Sequence, residues 1–266
     1  MKQSKASALE ENKKFYTDLY EKRSFWAHLL HMRISFDQQS KAKLNKSNLA
    51  PFLEPLKAKL GDREPTVLDY GSGWGATLAK MPRDFKLYCY DLSELAMQGV
   101  SRSLRALGLD VRPAKIDEQA HIIEPKVVDL IICSHVLEHV ADDDALLEVF
   151  YQALSEGGLL LLNLPINEVW EDPKHLRKYS QEITRVLLEQ HNFEVSQVTE
   201  ADRWTGYLLQ MEFLSGEVSV LRRFYLRGLR GALAILPLWL VEMSERVFIG
   251  SRNCQQLVVV AKKVSQ

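Results

Sequence analysis

The stretch VLDYGSGWGATL, Val67 to Leu78, decides the fold. A short apolar strand, TVLDY (66–70), runs into three glycines, Gly71, Gly73 and Gly75. Glycine permits positive φ and lets the backbone approach a ligand with no Cβ in the way. A helix over GATLAKM is expected to follow. Downstream, strands alternate with helices. KLYCYDL (86–92) is followed by helical SELAMQGVSRSLRALG (93–108), with Ser93 as cap and Gly108 past its end. DVRPAKI (110–116) is a weaker third strand, VVDLIICS (127–134) a fourth and GLLLLNLP (158–165) a fifth. A helix at 181–190 precedes the last two strands, FEVSQVTE (193–200) and QQLVVVAKK (256–264). Strands separated by single helices form right-handed crossovers. The expectation is an α/β fold with a doubly wound, seven-stranded, mostly parallel sheet over 62–266. A helical N-terminal extension (1–61) and a helical insertion before the last strand (201–255) complete it, and the polar run SFDQQSKAKLNKSN should break the extension into two helices.

The 266 residues are 46% apolar with a formal net charge of -1, which excludes a disordered chain. With no excess of positive charge to meet phosphates, nucleic acid is an unlikely partner on this reading. The balance is uneven, since residues 1–60 carry 12 Lys/Arg against 6 Asp/Glu. Cys89, Cys133 and Cys254 make no CxxC pair, which suits a reducing compartment and argues against a disulfide framework. The basic start of the chain has no apolar run behind it, so a signal peptide is not expected. The longest apolar run, Ala232 to Val241, is half the length of a membrane-spanning helix. Together these features point to a cytoplasmic protein with no transmembrane segment.

The glycine turn has a partner in Asp91, at the end of the second strand and 22 residues after Asp69, where an acid can accept hydrogen bonds from ribose hydroxyls. Gly71-x-Gly73-x-x-Ala76 also satisfies the dinucleotide fingerprint. Charge separates the alternatives. A pyrophosphate favours a helix N-terminus and no nearby acid. Asp69, just before the first glycine, repels phosphate but can hold a cationic nucleoside such as S-adenosylmethionine.

The motifs, in their order, resemble the class I S-adenosylmethionine-dependent methyltransferases, particularly the group containing quinone and small-molecule O-methyltransferases. The resemblance rests on LDYGSGWG (68–75), YDLSE (90–94), Asp117 after the third strand, VVDLIICSHVLEHV (127–140), ALSEGGLLLLNLP (153–165) and 172–195. It implies that Asp69, Gly71 and Gly73 line the methionine part of the cofactor. Asp91 would hold the ribose with Leu92 beside the adenine, and Ile116 or Asp117 would meet the adenine. Ser134 and His135 would lie at the methionine end. The family's usual Gly-Asp-Ala turn is replaced by Ala114-Lys115-Ile116-Asp117-Glu118.

Transfer from a sulfonium chiefly requires positioning, and a base only when the acceptor arrives protonated. His135, His139, His175 and Tyr179 are the candidate bases near strand ends, and Arg177 could pair with an anionic acceptor. His139 has a structural alternative, orienting its loop. HVLEHV has the register HxxEH with no third ligand in view, so no metal is expected. Arg222, Arg223, Arg227 and Arg230 precede the apolar run, a pattern that suits a membrane-surface helix, a lipid-like acceptor or a packed helical hairpin in a homodimer. Trp204, Tyr207 and Trp239 fit either. The expected activity is methylation of an oxygen, less readily a nitrogen, of a small or amphiphilic acceptor. The alternatives are an NAD-dependent oxidoreductase and an inactive methyltransferase-like scaffold.

Overall fold

The computed structural model describes residues 17–18, 20–21, 24–117, 121–168, 172, 174–206, 220–247 and 253–265; of 220–223, 227 and 247 it describes the backbone alone. Two helices, α1 (Phe25–Ile34) and α2 (Phe36–Leu60), lead into strands β1 (Thr66–Tyr70) and β2 (Lys86–Tyr90). Then come α3 (Glu94–Ala106), β3 (Val111–Pro113), β4 (Lys115–Ile116), β5 (Ile122–Glu124), β6 (Val128–Ser134), α4 (Asp143–Ala153) and β7 (Leu154–Pro165). The chain continues through α5 (Gln181–Gln190), β8 (Phe193–Ala201), α6 (Val220–Ile235) and α7 (Leu238–Val247) to β9 (Gln256–Lys263). Seven strands form one sheet in the order β3-β2-β1-β6-β7-β9-β8. The pairs from β3 to β7 are parallel, while β9 lies antiparallel between β7 and β8. This is the seven-stranded, mostly parallel sheet expected from the strand pattern. The order reverses between β1 and β6, which opens a crevice at their carboxyl ends.

Three local expectations are corrected. The glycine turn leads into turns and a single 3-10 turn, Leu78–Lys80, rather than an α-helix. Pro82 follows closely and cannot continue a helix. The third strand stops at Pro113, because Ala114 donates its N–H to Cys89 and the chain then leaves the sheet. Residues 115–116 pair instead with β5 in a separate antiparallel ribbon.

The third correction concerns α2, which runs unbroken through the polar stretch. Its side chains there are not solvated. Asn45 and Asn48 are buried, as are Gln39 and Ser40. Gln39 donates to the Met32 carbonyl at 2.6 Å, and the Asn48 oxygen accepts from Gln197 and Thr199 of β8 at 2.6 Å each. Ala42, Leu44, Leu49 and Leu56 join the apolar core on that face of the sheet. Each buried leucine contributes about 1.5–3 kcal/mol.

The insertion docks on α2. Phe36 packs with Leu226, Leu233, Ala234 and Val241. Lys43 donates to the Ala234 and Leu236 carbonyls at the end of α6, at 2.6 and 2.5 Å. Glu245 of α7 accepts the backbone N–H of Arg203, Trp204 and Thr205. Trp204 is half-buried and donates to Ser244, whereas Trp239 is exposed. Tyr207 and the Arg222, Arg223 and Arg227 side chains lie outside the described residues. Among the described residues no single helix is long and apolar enough to cross a membrane, and α6 and α7 are bent by 118°. Near the amino-terminal end of β6, the central strand, buried Asp129 accepts from Arg63 (2.8 and 2.6 Å), Thr66 N (2.9 Å) and Ser155 (2.7 Å).

Candidate active site

Parallel pairing sets the ends of β1, β2 and β6 side by side, Tyr70 opposite both Tyr90 and Cys133. The glycine turn then folds back over β2. Gly71 and Ser72 both donate to the Tyr90 carbonyl, at 2.8 and 2.9 Å. Gly71 has φ +77, and a Cβ there would lie 2.1 Å from Val136 Cγ2, so only glycine fits. Gly73 (φ +50) has open space, the nearest atom to its missing Cβ being Tyr20 Oη at 3.5 Å.

Asp91 is fixed by backbone donors, with Oδ2 accepting from Gly73 N and Oδ1 from Ser93 N, both at 3.0 Å. Each oxygen keeps a lone pair for a further donor. Burial raises its carboxyl above the usual range against those hydrogen bonds. Asp69 is buried beside it. Desolvation, then the Asp91 charge, pushes Asp69 up to about 7. Leu92 is 36% exposed, and Ile116 is half-buried. Asp117 turns both oxygens to His121, taking its backbone N–H at 2.8 Å and Nδ1 at 3.1 Å.

Behind the turn, Ser134 meets residues the sequence reading missed. Asn45 of α2 donates to Ser134 Oγ and Thr77 Oγ1, each at 3.3 Å, and Asn163 of β7 donates to the Asn45 oxygen at 2.8 Å. Tyr20, His28 and His31 surround Trp74 on the outer side, with ring centroids 4.6, 4.8 and 4.4 Å away. No periodicity marks isolated polar residues of this kind. The Gly-Trp-Gly sequence was the available signal for Trp74.

The acceptor-side candidates separate into two groups. His135 (φ 55) contacts Gln256 Oε1 through Nε2 at 2.7 Å, with Nδ1 3.4 Å from Glu138. His139 and His175 meet edge to face, 4.8 Å between centroids. Burial lowers the His139 pKa despite the Glu138 charge, whereas the bond to Glu168 raises that of His175 despite desolvation. Arg177 and Tyr179 do not join them. Tyr179 is buried and donates to Asp143 at 2.9 Å. Arg177 pairs with Asp143 and donates to the Ala141 carbonyl at 3.0 Å. Their polar atoms fasten the loop to the start of α4.

A profile described as "Methyltransferase domain" matches residues 38–228. The chain belongs to the methyltransferase family. This match favours the methyltransferase resemblance over the NAD-dependent alternative. A curated relative, tRNA 5-carboxymethoxyuridine methyltransferase of Escherichia coli K12, is 32% identical over 129 residues, 46% of this chain and 49% of the relative. The O157:H7 strain gives the same match. The methyltransferase thus spans about half the length of the curated relatives it matches. A Galdieria sulphuraria structure, provisionally named a sarcosine dimethylglycine methyltransferase, superposes with TM-score 0.58 at 13% identity, covering 96% of this chain and 98% of that one. Haemonchus contortus phosphoethanolamine N-methyltransferase 2 with S-adenosylmethionine gives 0.52 at 18% identity, over 91% and 60%. Both show the fold alone.

The relatives' names overturn the expectation that nucleic acid is an unlikely partner. That expectation rested on net charge, which averages over the surface. Burial, and then the charges of Lys43, Lys46 and Arg33, hold Lys80 below the usual lysine range, so four cations gather locally near the glycine turn.

Proposed function

We propose that the methyltransferase transfers the methyl group to an oxygen of its acceptor, and that this oxygen belongs to a nucleoside of tRNA. The observation that carries the oxygen reading is the set of imidazoles at the carboxyl edge beyond Ser134. A neutral imidazole in this set suits removal of a proton from an incoming hydroxyl. The relatives' names support the tRNA reading, and Arg33 and Lys46, the charges beside Lys80, supply positive charge for phosphate contacts.

Bound S-adenosylmethionine supplies a methyl group already activated on a sulfonium. The residues present fit it. Asp91, with both oxygens preset by backbone N–H groups, would accept from the ribose hydroxyls. Gly71 and Gly73 leave the backbone bare for the methionine part, and Asp69 would face its cationic end. Leu92 and Ile116 would flank the adenine. Asp117, oriented by His121, would accept from the exocyclic amine. Asn45 and Asn163 hold Ser134 in place at the methionine end. The buried cysteines suit the reducing cytoplasm.

Tritium-labelled S-adenosylmethionine, offered with bulk tRNA and separately with small hydroxyl and carboxyl acceptors, tests both parts. Label should enter tRNA, and nucleoside mass spectrometry should place it on oxygen. Methyl found on ring nitrogen would refute the oxygen reading. Label entering small acceptors alone would refute tRNA.

A further inference from the structure

We propose that Glu138, His139 and His175 form a binding site for one divalent transition-metal ion of the zinc class at the acceptor side of the cleft. Glu138 and His139 lie in the 3-10 turn Leu137–His139 after β6, and His175 arrives from the β7–α5 connection. One ligand atom from each lies within 4.8 Å of the other two. The sequence alone offered no third ligand. The fold supplies it.

The first argument is Glu138 itself. Its side chain is fully buried, and among the described residues neither carboxylate oxygen has a hydrogen-bond partner. Its nearest cationic candidates are His135 Nδ1 at 3.4 Å, outside hydrogen-bond geometry, and His139 Nε2 at 3.9 Å. A carboxylate withdrawn from water without donors costs several kcal/mol, so such groups are paired or hold a metal. His135 donates from Nε2 to the Gln256 oxygen, so in its neutral form it turns a lone pair, not a proton, toward Glu138.

The second argument is the tautomers of the other two imidazoles. His139 Nδ1 contacts the Lys174 carbonyl at 3.2 Å, and His175 Nδ1 contacts Glu168 Oε2 at 2.8 Å. A carbonyl and a carboxylate only accept, so each Nδ1 carries a proton and, in the neutral ring, each Nε2 holds the lone pair. Metal-binding histidines are held in this way, with the second nitrogen donating to a carbonyl or carboxylate. Two imidazoles and one carboxylate match the His2Glu set of open zinc sites, whose fourth position takes water or substrate. Ligands at about 2.1 Å from one ion stand roughly 3.4 Å apart, so binding draws the three atoms inward by about 1 Å. Magnesium and calcium favour oxygen ligands and suit this set poorly.

The test uses the full chain, stripped with chelator and dialysed, and does not depend on the acceptor. Cobalt(II) titration followed by visible absorption, with zinc titration calorimetry alongside, should give one equivalent per chain and d–d bands of a low-coordinate site. H175A should abolish the bands, E138Q should weaken binding at least tenfold, and E168Q should weaken it about tenfold by releasing the His175 tautomer. Circular dichroism checks each fold. H175A keeps Glu138 in place, so the result stands even where E138Q does not fold. The proposal is overturned by a wild-type chain that binds neither ion stoichiometrically, by binding unchanged in folded H175A, or by magnesium alone binding at one equivalent.

Discussion

Asp69→Asn should erase a pH dependence that the wild-type enzyme shows in cofactor binding. Burial and the neighbouring Asp91 charge push Asp69 up to about 7, so near neutrality the free protein holds this carboxyl partly protonated. On the proposed role, the cationic end of S-adenosylmethionine binds the ionised form, and binding expels the proton. Apparent Kd then scales as one plus ten raised to the difference between pKa and pH. That factor is about 1.1 at pH 8 and about 11 at pH 6, a tenfold weakening over two units. Calorimetry in two buffers of different ionisation enthalpy counts the protons directly. About 0.9 should be released per cofactor at pH 6 and about 0.1 at pH 8. Asp69→Asn should bind more weakly at pH 8, with neither the slope nor the release at pH 6. Measuring wild type and variant at the same pH cancels titration of the cofactor's own amine. A wild-type Kd flat between pH 6 and 8, or a slope retained in Asp69→Asn, would refute the reasoning.

The same shift has a stability consequence in the cofactor-free protein. The folded pKa of Asp69 lies above the ordinary 3.8, so its contribution is fully present below about pH 4 and is lost as pH rises through about 7. Asp69→Asn should therefore gain denaturant stability on wild type between pH 5.5 and 8, by an amount on the order of a few kcal/mol at most. Asp91→Ala should weaken S-adenosylmethionine at least tenfold by calorimetry; unchanged affinity would remove the ribose assignment. Gly71→Ala should lower Tm sharply through the Val136 clash, and adding Val136→Ala should recover part of the loss, leaving a backbone cost of about 1–2 kcal/mol. Asp129→Ala should cost about 3 kcal/mol in urea unfolding by stranding its donors, without changing cofactor Kd, because Asp129 sits at the amino-terminal end of β6, away from the glycine turn.

Features carried by adjacent residues were legible in advance. The glycine turn, Asp91 and the apolar runs of β6 and β7 stand out because short-range sterics and period-two burial dictate them. The α2 helix was read as broken because its buried face is built from Gln39, Ser40, Asn45 and Asn48. Apolar periodicity scores these as solvent-facing, and only their partners on β7, β8 and the glycine turn reveal otherwise. Arg177 and Tyr179 alternate toward one side as acceptor contacts would, but Asp143, from another element, claims both. The approach of His175 to His139 is likewise a product of tertiary folding, since two connections must converge before the imidazoles meet.

The hydrogen bonds that Asn48 accepts from Gln197 and Thr199 span nearly the whole sheet in sequence, 149 and 151 positions. During synthesis α2 leaves the ribosome before any strand it will contact, and must wait until β8 emerges. Its polar face keeps it soluble in the interval, where an apolar helix would invite aggregation. Replacing Asn48 by leucine would therefore add an apolar group to a nascent helix whose partner strand has not yet been made.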